Sequence, residues 1–160
     1  MRHVIISALL LLLALKVSSS SETAYDVLKE YNFPIGLLPQ GVQSYEFNST
    51  TGQFKVYFNQ SCSYSVDSYT LKYKSPISGK LAEKRLSNLR GVEVKVFLFW
   101  LSICEVTRED DELEFSVGIA SANFPLDGFD ECPQCGCGFD CHSINLENKS
   151  SQDRAELSIL

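Results

Sequence analysis

Histidine is almost missing from this chain: His3 and His142 are the whole complement in 160 residues. A Ser–His–Asp relay needs an imidazole beside its serine, and outside the N-terminal leader only His142, in the C-terminal tail, remains to supply one. There is no Gly-x-Ser-x-Gly nucleophile elbow and no glycine-rich loop to cradle a phosphate. Basic residues are the minority, 14 against 20 acidic, giving a net charge of −6 that becomes −8 once Arg2 and Lys16 leave with the leader. A surface of that sign repels phosphate backbones and argues against nucleic acid as a partner. Long apolar runs are also lacking. The longest, Val4 to Leu15, has 12 residues where a membrane span needs about 20, so no transmembrane anchor is expected once the leader is cleaved.

What is present at the N-terminus is a secretory signal pattern. Arg2 and His3 precede the apolar run, and small residues follow at Ser18 to Ser21, where signal peptidase cuts. The expected organisation is a signal peptide over 1–21, one domain over 22–141, and a polar extension over 142–160 that reads as disordered or as a sorting tail. Three glycosylation sequons, at Asn48, Asn59 and Asn148, fit the same route. The predicted destination is the extracellular space (the apoplast) or the vacuole.

The mature chain opens on a helix. Thr23 is its N-cap, Asp26 completes a capping box with the shorter acid, and Ala24, Val27, Leu28 and Tyr31 share one face up to the stop at Pro34. From Ser44 the period becomes 2. Phe54, Val56 and Phe58 alternate with polar residues, as do Cys62, Tyr64 and Val66, then Tyr69, Leu71 and Tyr73. A turn is expected at Ser75–Gly79, Lys80 to Leu89 is either a strand or a helical turn, and Val92 to Val106 and Leu113 to Ala120 form a final pair across an acidic turn. Gly91 reads as a turn residue. The fold class is therefore mainly β, an antiparallel sheet folded as a sandwich or barrel with the helix docked on it.

Val92 to Val106 is apolar on both faces in its middle. Val92, Val94, Val96, Leu98 and Trp100 form one row; Phe97, Phe99, Leu101 and Ile103 lie on the other. Behind such a strand sits either packed core, with the helix as partner, or a pocket for an apolar ligand. The candidate pocket residues are Phe97, Phe99, Leu101 and Ile103, with Trp100 set aside because it shares the valine face.

Six cysteines remain after the leader: Cys62, Cys104, Cys132, Cys135, Cys137 and Cys141. In a secreted domain an even count predicts full pairing, with at least one tail cysteine bridged back to the β domain. The rival, a zinc site made of the four tail cysteines, requires looser spacing than theirs. No metal and no cofactor is expected.

Four blocks carry a resemblance: Tyr31 to Pro39 (YNFPIGLLP), Gly91 to Val96 (GVEVKV), Glu112 to Ala122 (ELEFSVGIASA) and Gln134 to Cys141 (QCGCGFDC). They resemble the plant family catalogued as domain of unknown function 538, over roughly Thr23 to Cys141. The resemblance implies a helix against a curved, barrel-like sheet and a disulfide-linked tail, a fold compared with the lipid-binding domains of bactericidal permeability-increasing proteins. Against that pattern Cys104 is a departure and Cys132 is variable, which implies an added Cys104–Cys132 bridge. The leading expectation is a non-enzymatic binding protein for a lipid or other amphiphile, in a stress or defence role that the resemblance implies. The alternatives are an ester hydrolase, acting through His142 on an apolar substrate such as chlorophyll, and an extracellular protein-interaction module of unspecified partners.

Overall fold

The computed structural model describes residues 21–66, 68–139 and 141. The leader, His142, Asn148 and the polar extension lie outside them.

Helix α1 (Ala24–Glu30) starts where the capping pattern places it. The Asp26 backbone N–H donates to the Thr23 hydroxyl, and the Thr23 N–H donates back to the Asp26 carboxylate at 3.0 Å. Seven residues are too few to hold a helix unaided. Burial of Ala24, Val27 and Leu28 supplies what propensity does not. The C-terminal end is tied to the sheet: the Lys84 N–H donates to the Tyr31 carbonyl at 3.1 Å, and the Arg108 guanidinium to the Asn32 carbonyl at 2.8 Å.

Among the described residues nine antiparallel strands follow: β1 (Val42–Asn48), β2 (Gln53–Phe58), β3 (Cys62–Val66), β4 (Tyr69–Ala82), β5 (Arg85–Val96), β6 (Phe99–Ser102), β7 (Glu105–Glu109), β8 (Glu112–Ser116) and β9 (Ser121–Pro125). The order is β1-β2-β4-β5-β7-β8-β9, with β3 paired to the first half of β4 and β6 to the second half of β5. The sheet curls without closing into a barrel.

Four sequence expectations are corrected here. Val92 to Val106 is not one strand. It reverses in a two-residue turn at Phe97 and Leu98, so that Val96 pairs with Phe99 and Val94 with Leu101. Lys80 to Leu89 is a hairpin joining β4 to β5. Nor does the chain turn at Ser75–Gly79. Strand β4 runs through, its register against β5 slipping between Tyr73 and Ser78. At that irregularity the Ser75 hydroxyl replaces a ladder bond, accepting from the Phe58 N–H at 2.9 Å and donating to the Phe58 carbonyl at 2.8 Å. Gly91 is consequently no turn residue. It faces the slip from within β5 at φ 88°, where a Cβ would stand 2.9 Å from the Pro76 carbonyl oxygen.

The concave face has two halves. Over the first, α1 and the 3-10 turn Ile35–Leu37 bring Leu28, Leu37 and Leu38 against Phe54, Ile77, Leu86, Leu89 and Val106, a packed core. The second half is open.

Candidate binding cavity

The hairpin reversal decides what lines the open half. Cross-strand partners share a face, so Leu101 lies beside Val94 on the concave side, not opposite the valine row. Together Leu71, Tyr73, Val94, Val96, Leu101 and Ile103 form one wall of a cavity of about 560 Å³. Phe115, Val117, Ala120, Ala122, Phe124 and Phe129, from β8, the β8–β9 turn, β9 and the following 3-10 turn, form the other.

Aromatic contacts hold the walls. Phe124 meets both Phe115 and Tyr69 edge-on, with centroids 5.6 and 5.8 Å apart, and Phe129 stacks on Phe115 at 5.7 Å. Tyr64 stacks on Tyr73 at 5.9 Å. Tyr73 donates its hydroxyl proton to the Leu37 carbonyl at 3.1 Å and accepts from Tyr64 at 3.3 Å. Burial raises both phenols, Tyr73 to about 12 and Tyr64 further, so both stay neutral donors. The polar part of the lining is small: Ser65, Ser121, Asp127 and the tyrosine hydroxyls.

The cysteine tail completes the enclosure. Cys135 is bonded to Cys62 on β3, and Cys137 to Cys141. The Gly136 N–H donates to the Ser63 carbonyl at 2.7 Å. Gly138 has φ 67°, and a Cβ there would stand 2.9 Å from the Ser65 carbonyl oxygen, so only glycine lets the tail lie this close to β3. Phe139 then meets Tyr64 edge-on and lines the cavity.

Full cysteine pairing does not hold, and the Cys104–Cys132 bridge is overturned: both are free thiols. Each is engaged by a different element. The Cys104 thiol donates to the Ser116 carbonyl at 3.4 Å, and the Cys132 thiol to the Ile35 carbonyl at 3.5 Å. Burial raises the Cys132 thiol above its usual range. Three of the four tail sulfurs are consumed in disulfides, which removes the zinc alternative.

Of the four residues singled out for a pocket, Leu101 and Ile103 line the cavity. Phe97 and Phe99 do not. The turn that brings Leu101 inward carries them past the end of the wall into solvent, with Trp100 on the outer face beside Lys95. Tyr64, Leu71, Val94, Val96, Phe115, Phe124, Phe129 and Phe139 were not singled out as lining. The available signal was the valine row of β5, which needs an apolar neighbour on its own face. Asn48 and Asn59 are exposed at strand ends.

Residues 24–130, from the start of α1 to just before the first tail cysteine, match a family model described as "Protein of unknown function, DUF538". The chain belongs to the DUF538 family. The matched DUF538 segment contains both β walls of the cavity but not the cysteine tail. An uncharacterised protein of Arabidopsis thaliana is 28% identical over 95 residues, 59% of this chain and 55% of that protein. The chain thus spans about half the length of this relative.

Proposed function

We propose that this DUF538 protein is a secreted, non-enzymatic binding protein that holds a lipid or other amphiphile in the cavity between β3–β6 and β8–β9. The observation that carries this is the lining: a volume of about 560 Å³ walled by aliphatic and aromatic side chains, with few polar groups. Sites for small apolar ligands occupy ~300–1,000 Å³ and use that mixture. The signal pattern, two disulfides and exposed sequons at Asn48 and Asn59 support a secretory route. The comparison of the family's fold with the lipid-binding domains of bactericidal permeability-increasing proteins points the same way. Binding here is desolvation: each apolar side chain that loses water to the ligand contributes ~1.5–3 kcal/mol at most.

The test is titration with an environment-sensitive fluorescent fatty acid. Saturation at one probe per chain is expected. Ala122 projects into the cavity beside Phe115, so Ala122→Trp should fill it and weaken binding by roughly tenfold or more, with the melting temperature little changed. Undiminished affinity in that variant would place the probe elsewhere and sink the proposal.

A further inference from the structure

All five large apolar side chains left exposed among the described residues fall in two hairpins. Phe97 (92% exposed), Leu98 (85%), Phe99 (71%) and Trp100 (42%) belong to the β5–β6 hairpin, and Ile119 (92%) to the β8–β9 turn. Both turns border the cavity: Val96 precedes the first, Val117 and Ala120 bracket the second, and all three are lining residues. We propose that these two turns dock the protein on an anionic lipid bilayer and that ligand passes between bilayer and cavity. This rests on the cavity being a ligand site.

Folding does not account for the tip. Phe97 alone of its turn takes a positive φ, 54°, the pattern of a type II′ hairpin, whose first position favours glycine. A bulky side chain there is a steric outlier, and this one has no packing partner in return. The chain as a whole is acidic, but the charges directly behind the tip are basic and suit anionic headgroups. Lys95 is the cross-strand partner of Trp100, and the Lys72 ammonium lies 5.1 Å from the Trp100 ring centre. Glu93, on the same outer face, is bonded to Lys74. Apolar tip, tryptophan at its base and lysines behind is the order in which a bilayer interface presents hydrocarbon, carbonyls and phosphates. A second copy of the chain suits the tip less well, since stable interfaces engage ~20–30 residues a side and these turns offer five side chains.

Trp100 is the chain's single tryptophan, so its fluorescence reads the tip directly. The mature protein is mixed with vesicles of phosphatidylcholine and phosphatidylglycerol, with or without bromine-labelled acyl chains. A blue shift and quenching by the brominated lipid are expected. Phe97→Gly/Leu98→Ser keeps the turn geometry, and should lower partitioning roughly tenfold or more while leaving fatty-acid uptake in vesicle-free buffer intact. An unchanged Trp100 spectrum, or equal partitioning by the double variant, overturns the proposal. So does a wild-type dimer that becomes monomeric in the variant, because the tip is then a self-association surface. Vesicle docking with no fatty-acid uptake by the wild type would overturn the cavity and the transfer step instead.

Discussion

Tyr73 joins the two halves of the concave face, since it lines the cavity and also bonds the carbonyl of Leu37 in the core. Its phenol is raised from 10.0 to about 12, so the unfolded chain loses that proton before the folded one does. The sign follows: this contribution to stability is complete below pH 10.0, the unfolded value, and is lost as pH rises towards 12, at up to ~1.4 kcal/mol per pH unit. Tyr73→Phe should therefore show a shallower alkaline fall in urea midpoint than the wild type. It should also be less stable at neutral pH by about 1–3 kcal/mol, because the Leu37 carbonyl and the Tyr64 hydroxyl lose their partner. A steeper alkaline fall in the variant would contradict the burial of this pair. The thiols offer a second check at this scale. Alkylating the unfolded, unreduced protein should label two cysteines by mass, and peptide mapping should place them at Cys104 and Cys132.

Among the elements, the tail becomes part of the cavity wall through one disulfide and a few backbone bonds. Cys135→Ser opens a link spanning 73 residues and leaves Cys62, 1% exposed, without its partner. A loss of about 2–5 kcal/mol in denaturant unfolding is expected, with a larger fall in probe affinity than Cys137→Ser produces. Elements also separate what the sequence discloses from what it hides. α1 is legible because capping is local, three residues from Thr23 to Asp26. Strands β2 and β3 and the first third of β4 are legible because alternation is local too, whereas Ser75–Gly79 has the composition of a turn and runs on as strand. The β5–β6 hairpin is not, since Phe97 and Leu98 carry none of the glycine, asparagine or proline that marks a turn. β9 escapes notice because Ser-Ala-Asn-Phe-Pro is too weakly apolar to register, and its place is set by pairing with β8.

At the scale of the molecule, one concave surface serves two purposes, and a sheet that curls without closing makes this possible. Helix α1 is long enough to cover only part of the face, leaving β4 and β5 to carry core residues at one end and cavity residues at the other. The apolar middle of Val92 to Val106 is visible in sequence, but whether core or cavity lies behind it depends on where α1 docks. That is a long-range fact: contacts from residues 24–38 to the sheet are settled by packing and leave no periodic trace.

The order of assembly has a clock in it. Cys62 leaves the ribosome 73 residues ahead of Cys135, on the order of ten seconds at ordinary rates of synthesis. During that interval both β walls emerge while the Phe139 side stays unbuilt and Cys62 waits without its disulfide partner. The two β walls thus form an open trough first, and the enclosing side arrives last, fastened by an oxidation.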